Sequence, residues 1–565
     1  MAAKIFSALL SADVRLMNEI HINQMGYRPN DSKKAVISCL TAADGAEFQI
    51  VRVSDDTVVF SGNAGEPVED CASKDTARIA DFSSLTQAGE YFVRADGRRS
   101  YPFKIENNPY KGLRAALLEM FNYQKCGVDL ECGLWSHPAC HTSLATVYGT
   151  GEKKDVSGGW HDAGDYGRYI VPAAKAVADL LLAHKFSSNP DSQLLNIVWF
   201  EIEWMLKMQD EKTGGVYHKV SCRKFDALDE MPHDEKDELL LSLISATATA
   251  DFAASMALAS SFYPAHKDKL LNAAKRAWNW CAANPDTHGF KNPSDIGTGG
   301  YEDDNDKDER FWAACELYAA TKDETYLDYI KTSYFFTETR SDAHNNPHSD
   351  AQGGLPDGVQ SIAIGLGWGN VETYGVIAYL LSACGMTDND VTRKMKDALL
   401  RPCENIMEFY KKSPYGISLG EVFKWGSNMT VANNAMLLIL GDRLGGNRVG
   451  AGRPAANSEY AEAALEHFHY LLGKNPLSQS YITGFGSAPV KNPHHRPSVA
   501  KGSAVPGMVA GGPCMTVTRD PAINTHCADA PPAKRYVDHK DSFASNEIAI
   551  YWNSPAYFVM AALDL

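Results

Sequence analysis

A small β-sandwich followed by a large all-α domain is what this sequence predicts, and three observations predict it. Up to Glu106 the chain reads as short β-branched or aromatic runs parted by Asp, Gly and Pro turns. Asn107-Asn108-Pro109 then punctuates the chain. Beyond it the apolar period lengthens to that of helices, with long Gly-, Asp- and Pro-rich connections and no alternating strands, which excludes an α/β sheet protein. The expected domains are residues 17–106 and 107–565.

The predicted strands are residues 35–38, 48–53, 57–60 and 89–94. The helical pattern covers 173–183, 195–208, 246–260, 270–283, 310–321, 371–383, 431–440, 460–472 and 547–563. With weaker candidates this makes about a dozen helices without close sequence repeats.

Composition narrows the function. Apolar residues make up 44% and charged residues 22%, the balance of a globular protein with a sizeable core. Asp plus Glu (70) outnumber Lys plus Arg (54), for a net charge of −16 and a pI near 5.5. That argues against a nucleic-acid partner and favours a neutral or cationic substrate over a phosphorylated one. No apolar run reaches the roughly 18 residues a membrane span needs, and a monomer is expected. Residues 1–13 carry one Lys and an apolar stretch too brief for a secretory signal. A cytoplasmic protein is therefore expected, or a secreted one whose natural leader has been removed. The 12 irregularly spaced cysteines fit reduced thiols with one metal cluster better than a disulfide scaffold.

The chemistry concentrates first in Gly158-Gly159-Trp160-His161-Asp162-Ala163-Gly164-Asp165-Tyr166-Gly167. Each glycine would cost a helix about 1 kcal/mol relative to Ala, so a loop is expected. Two Asp on such a loop can turn the chain, cap a helix, bind a metal or activate water. A second stretch, Asn492-Pro493-His494-His495-Arg496, sets cationic or hydrogen-bonding side chains in succession after a Gly-rich turn; its histidines can contact substrate or cross-link loops. In the third, Glu547 opens an apolar helix with Ser545 or Asn546 as its N-cap. It is either a first-turn acid facing the helix dipole or an acid walled by aromatics, with a raised pKa. Asp162, Asp165 and Glu547 together supply the base and the acid that glycoside hydrolysis requires. Cys126, Cys140, His141 and His161 are two thiols and two imidazoles, the ligands of a closed tetrahedral zinc site, though not at finger spacing; buried or capping residues are the other reading, and Cys132 and His137 are competitors. The acidic run from Gly300 to Glu309 suits Ca²⁺, or caps the helix that follows.

These motifs resemble glycoside hydrolase family 9, the inverting β-1,4-glucanases, in the subgroup with an N-terminal immunoglobulin-like domain. The match rests on residues 158–165, on the segment ending in His494-His495-Arg496, and on the pattern from Tyr536-Val537-Asp538 through Glu547 to Asn553-Ser554. The resemblance implies an immunoglobulin-like sandwich followed by an (α/α)6 barrel with an open cleft. It implies Asp165 as general base, Asp162 as its partner in holding the water and Glu547 as general acid. His495 and Arg496 fall where the family contacts sugar hydroxyls, and Trp425 and His218 look like cleft residues. The family's structural zinc pattern falls on Cys126, Cys140, His141 and His161. Its calcium pattern falls on Asp304, Asn305, Asp308, Glu309 and Asn370, the last an Asn where Asp is often found. Residues 341–362 look like an insertion that closes one end of the cleft and, with no cellulose-binding module following, leans towards short or soluble chains. The expected activity is endoglucanase or cellodextrinase. The alternatives are an exo-β-D-glucosaminidase of the same family and an inactive carbohydrate-binding protein, against which all three carboxylates are present.

Overall fold

The structure, a computed structural model, describes residues 19–38, 46–287, 289–337, 364–382, 389–445 and 458–565. The expected insertion at 341–362 lies outside them.

Nine strands come first among the described residues: β1 (Ile20–His21), β2 (Lys34–Ile37), β3 (Glu47–Arg52), β4 (Val58–Asn63), β5 (Val68–Glu69), β6 (Thr76–Asp81), β7 (Gly89–Ala95), β8 (Arg98–Arg99) and β9 (Phe103–Ile105). They form two antiparallel sheets, ordered β1-β2-β6-β5 and β4-β3-β7-β8, with β9 also paired to β7. Alternation places Tyr91, Val93 and Ala95 of β7 inside. In β3 it fails at Ile50 and Val51, both buried, where the register with β4 shifts. The predicted strands match β2, β3, β4 and β7, while β1, β5, β6, β8 and β9 escape prediction because most are too short to show alternation.

Among the described residues twelve long helices follow: α1 (Leu113–Tyr123), α2 (Ile170–Phe186), α3 (Leu194–Lys207), α4 (Ala246–Ala259), α5 (Lys267–Ala283), α6 (Lys307–Thr321), α7 (Glu324–Thr332), α8 (Glu372–Ser382), α9 (Asp390–Lys412), α10 (Ser427–Leu444), α11 (Glu459–Leu471) and α12 (Ile550–Ala562). The even-numbered helices pack in sequence into a closed inner ring, and each odd-numbered helix packs outside it. Burial follows that division: every residue of α4 and α12 is buried, whereas α5 and α9 bury one face. Strict alternation makes the inner helices parallel, so the connections entering them gather at one end of the barrel. Midway down the axis Asp179 accepts hydrogen bonds from Lys175, Tyr374 and Ser554, joining three inner helices through a buried polar centre.

Two expectations need correction. Short strands do occur between the helices: Lys153–Lys154, Ala145–Val147, Leu240–Leu241, Lys219–Ser221 and Arg168–Tyr169 form one small sheet. Glu547 does not open a helix; it is extended (φ −69°, ψ 162°) and lies three residues before α12.

The sandwich braces the far side of the site. His21 Nδ1 and Ser478 Oγ share a hydrogen bond of 2.8 Å, and Gln24 donates to the Ser478 carbonyl at 2.6 Å. Tyr415 donates to Asp75 at 2.8 Å. The His21 and Gln24 contacts, with Gln24 also accepting the Ala488 N–H at 2.8 Å, anchor the 472–489 segment that leads into His494-His495-Arg496.

Candidate active site

The connections that enter the inner helices line one cleft of about 490 Å³. Asp162, Asp165 and Glu547 all face it, between the aromatic side chains of Tyr169, Phe225, Tyr301, Trp368, Trp425, Tyr551 and Trp552. The three carboxylates are brought together by a lacing of three segments. Ile550 N–H donates to the Asp162 carbonyl at 2.8 Å, Arg496 N–H to the Gly164 carbonyl at 3.2 Å, and His494 bridges to Glu547. Gly164 is required here, because a Cβ would lie 2.1 Å from the His494 carbonyl oxygen.

Each carboxylate has its own environment. Tyr301 OH donates to Asp162 Oδ2, while Asp162 Oδ1 is buried without a protein partner. Tyr301 itself adopts φ +49°, a strained conformation held by its packing against Tyr169, Trp368 and Tyr551. Asp165 Oδ2 accepts from Gly167 N–H at 3.0 Å and Tyr169 OH at 3.3 Å. Burial raises the Asp165 pKa, opposed mainly by the Arg496 guanidinium. Burial raises Asp162 well above the carboxylate range; the Tyr301 bond opposes this and the Asp165 charge reinforces it. Glu547 is also raised well above its ordinary value, first by burial and then by the negative charges of Asp165 and Asp162.

Of the predicted substrate residues, Trp425 lines the cleft. His218, His495 and Arg496 do not line it and lie buried behind its walls. His218 is fully buried, with Nδ1 on Ser245 Oγ and Nε2 on the Gly300 carbonyl, both at 2.9 Å; it holds the wall that carries Tyr301. Lys219 pins the same wall at the Gly299 carbonyl. His495, 1% exposed, reaches Ser498 and Gln124, and Gln124 in turn donates to the carbonyls of His161 and Ala163. Arg496 donates to the Gly164 carbonyl at 2.8 Å and the Asp226 carbonyl at 2.9 Å. Beneath the loop carrying Asp162 and Asp165, Glu201 accepts the Trp160 N–H at 2.6 Å. Tyr301, Gln124 and Glu201 carry no signal in the sequence, since each acts on a partner distant along the chain.

Cys126, Cys140, His141 and His161 converge, with their ligand atoms all within 4.8 Å of one another, and form the only such set among the described residues. Cys132 and His137 stay outside it. The spacings are Cys126 Sγ to Cys140 Sγ 3.8 Å, Cys126 Sγ to His141 Nδ1 3.5 Å and Cys140 Sγ to His161 Nε2 3.8 Å. Tetrahedral zinc with Zn–S of about 2.3 Å requires S···S near 3.8 Å and S···N somewhat shorter, so the donor set fits. Cys126 N–H donates to the Gly159 carbonyl and His161 N–H to the Gln124 carbonyl, which stitches this potential metal cluster to the loop carrying Asp162.

The residues expected to bind calcium do not gather in the same way. Asp304 and Asn305 lie exposed in the turn before α6, and the Asn305 side chain accepts the Lys307 N–H. Asp308 accepts the Val371 N–H at 2.8 Å, and Asn370 accepts the Glu372 N–H at 3.3 Å. Glu309 is fully buried with both carboxylate oxygens unpartnered, and so is Asp251 on α4, which nothing in the sequence singles out.

Comparison with known proteins agrees with this architecture. Residues 110–560 match the model of glycosyl hydrolase family 9, and residues 16–100 match the cellulase N-terminal ig-like domain. A cellodextrinase of Butyrivibrio fibrisolvens is 34% identical over 97% of this chain and 100% of its own. Endoglucanase D of Acetivibrio thermocellus is 32% identical over 99% of this chain and 85% of its own. The solved structure of a single mutant of a thermostable endoglucanase from Alicyclobacillus acidocaldarius superposes with a TM-score of 0.84 at 38% identity, covering 97% of this chain and 99% of that one. With its twelve-helix barrel, its cleft of three carboxylates and its N-terminal sandwich, the chain belongs to glycosyl hydrolase family 9.

Proposed function

We propose that this glycoside hydrolase cleaves β-1,4-glucosidic bonds of soluble β-glucans or cello-oligosaccharides with inversion, as an endoglucanase or cellodextrinase. The observation that carries the reading is the cleft in which two Asp of one loop face a Glu of another between aromatic walls, where burial and the two Asp charges raise the Glu547 pKa well above its ordinary value. The names of the relatives, cellodextrinase and endoglucanase D, support the substrate class. Aromatic side chains such as Trp425 and Trp368 present the flat faces on which glucose rings stack.

In this reading Glu547 keeps its proton and gives it to the glycosidic oxygen as the bond to the anomeric carbon breaks. Asp165 removes a proton from the water that attacks the opposite face. Asp162 holds that water through Oδ1, the oxygen its bond from Tyr301 leaves free. The oxocarbenium-like charge of the transition state forms beside these carboxylates, which favours it electrostatically. His218, His495 and Arg496 position the walls and the catalytic loop. The sandwich, within residues 17–106, supplies no catalytic group, and residues 107–565 form the catalytic unit; the glucan is the only partner required.

We assign structural zinc to Cys126, Cys140, His141 and His161: two thiolates neutralise the ion and no position remains open for water. Calcium is proposed beside Asp308 and Glu309, where the unpartnered carboxylate oxygens of Glu309 and Asp251 would otherwise be buried without compensation.

Glu547→Ala is expected to lower kcat on unactivated cello-oligosaccharides by roughly 10²–10⁴, but far less on aryl glycosides with good leaving groups, which need little protonation. Asp165→Asn is expected to lose activity on both substrates alike. Equal losses for Glu547→Ala on the two substrates would remove it as the acid.

The pH profile follows from the signs of the shifts. Activity rises as Asp165 ionises and falls as Glu547 loses its proton. The charge of Asp162 raises the Glu547 pKa, so Asp162→Asn is expected to move the alkaline limb of kcat/KM to lower pH while reducing the maximum. An alkaline limb that stays in place contradicts the assignment of that limb to Glu547.

Removing zinc with a chelator, verified by elemental analysis, is expected to lower Tm before kcat changes, and zinc alone restores it. Calcium added to chelated, zinc-restored protein raises Tm further. A melting curve indifferent to either ion rejects the corresponding site.

A further inference from the structure

The loop of residues 222–238 runs between the metal cluster and the cleft, and touches both. At one end of it, Glu235 Oε2 lies 2.6 Å from His141 Nε2, with both side chains almost fully buried. His141 turns its other nitrogen, Nδ1, to Cys126 Sγ. A carboxylate on Nε2 requires the proton there, which leaves the Nδ1 lone pair for a metal. His141 also adopts φ +49°, a conformation that a non-glycine residue keeps only when its surroundings hold it. At the other end of the loop Phe225, 48% exposed, forms part of the cleft wall. Its ring lies 5.6 Å from the Arg496 guanidinium, whose Nη2 donates to the Asp226 carbonyl at 2.9 Å. Between the two ends the Tyr166 OH, from the catalytic loop, donates to the Glu230 carbonyl at 2.6 Å.

We propose that Glu235 is a positioning residue with two attachments: it orients His141 for the metal, and through the 222–238 loop it makes the cleft wall at Phe225 depend on the metal centre. The inference rests on the zinc assignment above. Glu235 has no role in bond breaking. It stands among other acids in the run from Asp229 to Asp237, and its pairing with His141, together with its contact to the Asp226 side chain, distinguishes it. Glu235 also reaches back to the side chain of Asp226, the residue after Phe225, so its buried charged hydrogen bond to His141 bears directly on where Phe225 sits.

The test compares the full-length wild type with Glu235→Gln, Glu235→Ala and Phe225→Ala. Glu316→Gln serves as control, because Glu316 is likewise buried and accepts a hydrogen bond from Trp312 on the same helix, α6. Zinc affinity is measured by competition with a chromophoric chelator, the site is observed through its Co²⁺ spectrum, and kcat and KM are measured on cellohexaose with zinc saturating. Glu235→Ala is expected to weaken zinc roughly 10- to 100-fold and to alter the Co²⁺ spectrum, with Glu235→Gln intermediate. It should also raise KM by roughly three- to tenfold with kcat little changed, as should Phe225→Ala, which keeps wild-type zinc affinity. Glu316→Gln should leave zinc affinity and KM as in the wild type. Wild-type zinc affinity in Glu235→Ala, or weakened zinc with an unchanged KM, overturns the inference while leaving the zinc site standing. A wild-type chain that takes up neither zinc nor Co²⁺ rejects the zinc assignment, and the inference with it.

Discussion

The approach of Gly164 to the His494 carbonyl is the constraint on which the site depends. Only a residue without a side chain can sit there, since a Cβ would stand 2.1 Å from that oxygen. Because Gly164 fits, the loop carrying Asp162 and Asp165 lies directly against the segment paired with Glu547. Groups from opposite ends of the helical domain's sequence thus share one cleft. The Arg496 guanidinium closes on the Gly164 carbonyl from the same side and tempers the rise that burial imposes on the Asp165 pKa, so the same side chain bears on both the geometry of the loop and the charge of Asp165.

Around that contact the protein is built in layers. Closest to the substrate are aromatic rings and carboxylates; behind them lie buried polar groups whose partners are backbone carbonyls and amides. Gln124, Glu201, His218 and Arg496 each fix a main-chain atom of the cleft, and His495 acts through Gln124. The Asp538 and Asn546 side chains do the same for the segment before Glu547: Asp538 accepts the amides of Lys491 and Asn492, while Asn546 donates to the Asn492 carbonyl and accepts from Tyr536. Such groups contribute by removing alternatives, because a misplaced loop would leave them buried and unpaired. Farther out, the inner helices direct their N-termini towards the cleft end, and the sandwich holds the segment that delivers His494.

Much of this is legible in the sequence, and what is not has physical causes. The most apolar inner helices announce themselves, and α2, α4 and α12 fall close to their predicted bounds. Periodicity sets Glu547 at a helix start because an apolar run continues through Ile548 and Ala549, and a pattern of apolar residues alone cannot separate an extended lead-in from a first turn. The cysteine and histidine cluster is legible because ligand chemistry limits the candidates to few residue types. His218 and His495 read as substrate contacts because a polar residue in a distinctive motif suggests a ligand; in the fold both are fully buried and bonded to the protein. Tyr301, Glu201 and Glu235 leave no trace, since each acts through a contact that only the closed barrel creates.

The measurement that bears most directly on the account is the anomeric configuration of fresh product, read by NMR in the first minutes of cellohexaose hydrolysis. A base that activates water across the ring from a protonated Glu547 must release the α-anomer. That is the predicted result. Accumulation of the β-anomer before mutarotation would mean that a carboxylate attacks the sugar itself, and the assignment of Asp165 as a base acting through water would be wrong.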